Sequence, residues 1–122
     1  MSGNLCFLII ERDPFIARDL SLGLADAAPG CVAVICRDWT AFVQECGVIP
    51  DHAVPRFVIT TLPIPELSEV ARLELLRRHR ITPVLRGADE DLDRDWVDRG
   101  WLSLPAPFAT EDLDRLVRQL AA

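Results

Sequence analysis

The sequence has 122 residues, of which 50% are hydrophobic and 26% are charged, and its formal net charge is −6 at pH 7. This length and composition are typical of one globular domain, so we predict a single domain over residues 1–122. The negative charge provides no overall positive field for phosphate backbones or anionic lipid, which argues against nucleic-acid partners and membrane partners.

The apolar runs are too short for a membrane span. The longest, at residues 5–10 and 31–36, fall far below the roughly 20 residues that cross a bilayer. The N-terminus also lacks the basic start and cleavage site of a signal peptide. We therefore expect a cytoplasmic protein.

Strands and helices alternate from the start of the chain. Residues 5–10 are a continuous apolar run, typical of a strand buried on both faces of a parallel sheet. Asp13 and Pro14 then predict the start of a helix that ends before Pro29. Residues 31–36 indicate a second buried strand, and a second helix is predicted between Asp38 and Gly47.

The same alternation continues in the second half. Further strands are predicted at residues 57–61, 83–85 and 101–104, and further helices at residues 66–79, at residues 91–97 and from Thr110 onward. Five strand-then-helix units imply a parallel sheet with helices on both faces. A ligand site is then expected beyond the carboxyl ends of the strands, near residues 11–13, 60–62, 86–88 and 105–108.

The four cysteines show no spacing of a metal or redox motif. Three of them lie inside or beside the apolar runs at residues 5–10 and 31–36, and the fourth, Cys46, falls on the apolar stripe of the second helix. We interpret all four, Cys6, Cys31, Cys36 and Cys46, as reduced core residues.

The residues at the strand ends resemble those of a response-regulator receiver domain. The matching segments are Ile10-Glu11-Arg12-Asp13-Pro14, residues 57–61 followed by Pro65, and Ala106-Pro107-Phe108. The resemblance covers essentially the whole chain. It implies a flavodoxin-like (βα)5 three-layer sandwich with a parallel five-stranded sheet of order 2-1-3-4-5. It also implies a cis peptide bond between Ala106 and Pro107.

In that family two acidic residues hold magnesium, an aspartate accepts a phosphoryl group, and a lysine neutralises the transferred charge. Glu11 matches the first acid, but Arg12 stands at the second acid position. Thr61, four residues before Pro65, replaces the aspartate, and Ala106 replaces the lysine. The resemblance therefore implies a degenerate phosphorylation pocket without catalysis, metal or cofactor. Its residues are Glu11, Arg12, Asp13, Thr61, Arg86 and Ala106, with Arg86 or Gly87 in place of a switch hydroxyl.

Two interpretations of Arg12 are open. Its guanidinium could pair with Glu11 and Asp13 and supply the charge that magnesium would bring. Alternatively, Arg12 reaches solvent at the rim of the pocket.

The segment from Pro83 to Pro107 is shorter than is usual in the family by about one helical turn. The resemblance implies that the fourth helix, the fifth strand and the last helix form a face that often dimerises. Aromatic residues anchor interfaces, so Trp96, Trp101 and Phe108 are interface candidates; ordinary packing is the alternative explanation for the two tryptophans. We predict a homodimer through this face.

The predicted function is that of a signalling domain that binds a protein partner without phosphorylation and is not an enzyme. One alternative is a sensor of a small molecule or anion, with Arg12, Thr61 and Arg86 around the ligand. Another is a residual receiver that binds magnesium weakly through Glu11 and Asp13.

Overall fold

The computed structural model describes residues 5–87 and 98–121. The strands are β1 (Cys6–Ile10), β2 (Val32–Cys36), β3 (Arg56–Thr60), β4 (Ile81–Arg86) and β5 (Leu102–Leu104). The helices are α1 (Pro14–Ala27), α2 (Trp39–Cys46), α3 (Ile64–Leu67), α4 (Val70–Arg78) and α5 (Thr110–Ala121). None of these helices is long and apolar enough to cross a bilayer. The helix predicted at residues 91–97 lies outside the described residues.

The five strands form one parallel sheet in the order β2-β1-β3-β4-β5, which confirms the predicted flavodoxin-like topology. Alternate residues of the inner strands enter two separate cores. Phe7 and Ile9 of β1 pack with residues of α1 and α5 on one face. Leu8 packs with residues of α2, α3 and α4 on the other face. Helices on both faces explain why β1 and the three central residues of β3, Phe57 to Ile59, are apolar.

The two helices on the first face approach closely at one point. A Cβ atom at Gly23 of α1 would lie 2.3 Å from Cδ1 of Leu113 in α5. The absence of a side chain at Gly23 therefore allows Leu113, which is buried, to reach the core beside α1.

The structure corrects the prediction that β2 is buried on both faces. β2 is an edge strand, and Val32 and Ile35 are 41% and 50% exposed. An apolar run shows only that a strand is favourable; its place in the sheet decides how much of it is covered.

The helix predicted at residues 66–79 is two helices in the structure. α3 begins earlier, with Pro65 in its first turn, and ends at Leu67. Ser68 donates its N–H to the carbonyl oxygen of Ile64, and Glu69 has an extended backbone (ψ 139°) that separates α3 from α4. The predicted fourth strand is also longer, since β4 spans Ile81–Arg86.

The four cysteines are free thiols, as predicted. Cys6, Cys36 and Cys46 are buried, and Cys31 is half-buried.

Candidate functional site

The carboxyl ends of the inner strands bring together residues that are far apart in sequence. Glu11 directly follows β1, Thr61 directly follows β3, and Arg86 is the last residue of β4. The strands are in register here, with Ile9 opposite Ile59 and Thr60 opposite Leu85. This edge of the sheet is where a ligand site is expected in an open parallel sheet.

Glu11 and Arg86 form an ion pair at this edge. Nη2 of Arg86 donates to Oε1 of Glu11, and the two side chains are only 12% and 11% exposed. The second oxygen, Oε2, accepts the main-chain N–H of Asp13 at 3.0 Å. Both carboxylate oxygens of Glu11 are therefore engaged by donors within the protein, one of them charged.

Neither Asp13 nor Arg12 takes part in the ion pair of Glu11. Oδ1 of Asp13 accepts the N–H groups of Phe15 and Ile16 at 2.9 and 3.4 Å, which caps α1. Arg12 is exposed, and it has no ion pair or side-chain hydrogen bond within residues 5–87 and 98–121. The hypothesis that Arg12 pairs with Glu11 and Asp13 is wrong, because Arg86 reaches Glu11 from the end of β4, across β3. Arg12 instead lies at the rim.

Thr61 and Ala106 provide no group that could accept or neutralise a phosphoryl group as a carboxylate and an ammonium do. Thr61 is exposed, whereas the preceding Thr60 is buried and its hydroxyl accepts the N–H of Leu62 at 3.1 Å. A Cβ atom at Gly87 would lie 3.3 Å from Cβ of Ala106, so Ala106 borders the end of β4. The bond between Ala106 and Pro107 is cis, as predicted. All thirteen basic Lys and Arg residues of the chain are arginines, so no other lysine can replace the missing one.

A cleft of about 480 Å³ opens at the same edge, toward β2 and α2. Glu11, Arg12 and Thr61 line it, together with four consecutive residues that were not predicted as site residues: Arg37, Asp38, Trp39 and Thr40. Arg37 directly follows β2, so the rule that sites lie beyond the carboxyl ends of strands would have found it. The predicted anion site of Arg12, Thr61 and Arg86 is not assembled, because the guanidinium of Arg86 is bound to Glu11.

The residues at this edge do not fit a magnesium ion. Magnesium requires near-octahedral oxygen ligands, usually including one or two free carboxylates. Here the oxygens of Glu11 are engaged, the Asp13 carboxylate caps α1, and Arg12 is a cation. Within the described residues, no three His, Cys, Asp or Glu side chains lie together as a metal site would need.

The candidate interface residues are partly buried where they are described. Trp101 is half-buried against the core beneath α2, α3 and α4, and the Arg99 guanidinium lies 5.2 Å from its ring centre. Phe108 is half-buried against the core beneath α1 and α5. Trp96 and Ala88 lie outside the described residues.

Several solved structures are similar to this chain. A protein from Burkholderia pseudomallei described as pilus assembly-related has a TM-score of 0.70 and 20% identity, over 99% of this chain and 92% of that protein. The receiver domain of a DNA-binding response regulator from Colwellia psychrerythraea has a TM-score of 0.63 and 17% identity, over 96% and 98%. A transiently phosphorylated bacterial signalling switch has a TM-score of 0.58 and 15% identity, over 93% and 91%.

No protein-family model and no curated protein matches the sequence. At these identities the structural neighbours show the architecture of the chain. The chain has the fold of a response-regulator receiver domain.

Proposed function

We propose that this chain is a receiver-like signalling domain that binds a protein partner in the cytoplasm without being phosphorylated and without catalysing a reaction. The observation that carries the proposal is the largely buried ion pair between Glu11 and Arg86. It lies where a phosphorylated receiver would need free carboxylates for its metal.

Phosphoryl transfer to a carboxylate needs a nucleophile and cations that offset the charge on the transferred oxygens. Thr61 and Ala106 stand where the resemblance puts the nucleophile and the lysine. The cation that contacts Glu11 is Arg86, a residue of the chain itself, and it already neutralises this carboxylate. The pocket therefore supports a fixed electrostatic state rather than one that a phosphoryl donor changes.

A domain with a fixed pocket would signal through a constant surface. A ligand or a modification shifts a conformational equilibrium only if it stabilises one of the two states more than the other. Because Thr61 stands at the acceptor position, no aspartate there can receive a phosphoryl group and so shift the equilibrium. The face that includes β5 and α5, with Trp101 and Phe108 at its margin, is the proposed partner surface. The homodimer predicted through this face stays a prediction.

Amide NMR spectra recorded during addition of magnesium and then beryllofluoride, a phosphoryl mimic, test the proposal. We expect no shifts at Glu11, Thr61 or Ala106. Shifts at these amides that spread to α5 would contradict the proposal, because they would show that the pocket still switches.

Rebuilt variants are the matched control. One carries Arg12→Asp, Thr61→Asp and Ala106→Lys, and the second also carries Arg86→Ser. If the Arg86 guanidinium excludes the metal, only the second variant should bind magnesium with appreciable affinity. Equal affinity in both variants would show that Arg86 is not what closes the pocket.

A further inference from the structure

The cleft at the carboxyl ends of β1, β2 and β3 contains two exposed arginines. Arg12 follows β1, Arg37 follows β2, and both line the cleft. Neither guanidinium forms an ion pair or a side-chain hydrogen bond with another residue of the segments 5–87 and 98–121. Two like charges in one cleft repel each other, and an anion bound in the cleft would offset this repulsion.

The two carboxylates that line the cleft have other partners. The oxygens of Glu11 accept from Arg86 and from the N–H of Asp13. Oδ1 of Asp38 accepts the N–H of Ala41 at 2.8 Å and caps α2, where the helix dipole partly offsets its charge. Among the described residues, the cleft thus has two unpaired guanidinium groups, one neutralised glutamate and one capping aspartate. Its net charge is positive, although that of the whole chain is −6.

The cleft also has an apolar wall that is already in place. Ile10, Trp39 and Leu62 line the cleft and pack, partly buried, against the core beneath α2, α3 and α4. The ring centre of Trp39 lies 4.8 Å from that of Phe42 and 5.1 Å from the guanidinium of Arg72. Because these contacts hold the indole, a ligand ring that packs beside it would require little further ordering of side chains.

We propose that this cleft binds a mononucleotide, with its phosphate at Arg12 and Arg37 and its base against Trp39. Guanidinium groups form strong charge-assisted hydrogen bonds with phosphate oxygens. Thr40 and Thr61 line the same cleft and provide hydroxyl donors. The base provides the aromatic surface that the apolar wall would contact.

The size and the place of the cleft suit such a ligand. Its volume of about 480 Å³ lies within the range of about 300–1,000 Å³ that is usual for small-molecule sites. A phosphate ion alone would leave the apolar wall in contact with water. The cleft also lies where the strand order reverses between β1 and β3, which is where doubly wound sheets bind ligands.

The inferred ligand site goes beyond the proposed function and does not depend on it. Binding a mononucleotide is non-covalent, so it needs neither the aspartate nor the magnesium of phosphoryl transfer. Shifts with beryllofluoride would contradict the phosphorylation-independent pocket without bearing on the mononucleotide. Absence of mononucleotide binding would remove the ligand site alone.

Amide NMR titrations with AMP, GMP, CMP and UMP, in buffer without magnesium, test the proposal. At least one of them should shift the amides of Arg12, Arg37, Thr40 and Thr61 with a dissociation constant below about 1 mM. The matching nucleoside and inorganic phosphate each lack one half of the ligand, so each should bind at least about 10-fold more weakly. The proposal is overturned if no mononucleotide shifts these amides, or if inorganic phosphate binds as tightly as the mononucleotide.

Substitutions of single arginines locate the phosphate. Arg12→Gln and Arg37→Gln should each raise the dissociation constant by about 10-fold, because each removes a charge-assisted hydrogen bond. Both positions are exposed, so the fold should be retained. Arg118→Gln, at an exposed position on α5, removes the same charge far from the cleft and should change the dissociation constant by less than about 2-fold. Equal weakening by Arg118→Gln would show non-specific attraction and overturn the site.

A conservative change at Trp39 locates the base. Trp39→Phe keeps an aromatic ring in the core and removes part of the surface that lines the cleft. The dissociation constant of the mononucleotide should rise by about 3-fold or more, and that of inorganic phosphate should stay the same. An equal rise for both ligands, or no rise for the mononucleotide, would overturn the contact between the base and Trp39.

Discussion

Breaking the Glu11–Arg86 ion pair should destabilise the fold much more than breaking a surface pair. The side chains of Glu11 and Arg86 are 11% and 12% exposed, so removing one leaves the other charge poorly hydrated and without its partner. Glu11→Gln keeps an oxygen for the N–H of Asp13. Arg86→Met keeps a side chain of similar length without the charge. Both variants therefore remove the charge with little loss of volume.

The expected size follows from the burial of the pair. Breaking a fully buried pair costs about 3–5 kcal/mol, and breaking an exposed one costs about 0–1 kcal/mol. Because this pair still has some contact with solvent, we expect an intermediate cost of about 2 kcal/mol for each single variant. The double variant buries no charge and should lie within about 1 kcal/mol of the wild type. The coupling energy is then about 3 kcal/mol, the upper end of the usual range for residues in contact.

Urea denaturation at pH 7, followed by circular dichroism, measures this cycle. Each single variant should also lower the melting temperature by roughly 8 °C, at about 4 °C per kcal/mol for a domain of this size. Arg115→Met is the control, since Arg115 is 65% exposed and lies 3.5 Å from Asp112; its effect should be below about 0.5 kcal/mol. The reasoning is refuted if Glu11→Gln and Arg86→Met each cost less than about 0.5 kcal/mol and the double variant costs only the sum of the two.

Three further predictions concern the packing and the buried polar groups. Gly23→Ala should destabilise the chain by about 1–3 kcal/mol, because the added methyl group would lie 2.3 Å from Cδ1 of Leu113 and force this buried side chain out of its rotamer; an unchanged melting temperature would contradict this. Arg56→Met should cost about 2–4 kcal/mol in urea denaturation, since the buried Arg56 donates to three main-chain oxygens at 2.9 to 3.1 Å; a loss no larger than that of an exposed arginine would exclude this role. Burial raises the pKa of Cys36 and Cys46 from 9.0 to about 11; the negative charge of Glu45 adds to this effect at Cys36, and the positive charge of Arg56 opposes it at Cys46. Between these two pKa values the folded state keeps its thiol protons while the unfolded state loses them. The thiols therefore make their full contribution to the free energy of unfolding below pH 9, and this free energy should fall between about pH 9 and 11. The chain has neither lysine nor tyrosine to obscure this fall, and a flat profile between pH 8 and 10.5 would contradict the prediction.

Local sequence signals predicted most of the fold. Asp13 and Pro14 mark the start of α1, and short apolar runs separated by helical repeats predict the strands of a parallel sheet. These signals are reliable because they depend on neighbouring residues. The sequence does not predict the break at Ser68 and Glu69, since an apolar repeat on both sides of it resembles one helix.

The positions of the site residues could also be predicted, but their contacts could not. The alternation of strands and helices places Glu11, Thr61 and Arg86 at one edge of the sheet. The partner of Glu11 is 75 residues away in sequence, whereas the sequence pattern indicates only the adjacent Arg12 as a partner. The register of β1, β3 and β4 decides which guanidinium reaches the carboxylate.

The sequence by itself determined the element order, the parallel sheet and the edge that holds the candidate site, because hydrophobic periodicity and helix caps act over a few residues. Only the tertiary structure decided that Arg86 neutralises Glu11 and that β2 lies at an edge of the sheet. Both depend on how distant segments are placed beside each other. An apolar strand has the same sequence pattern whether one or two neighbours pair with it.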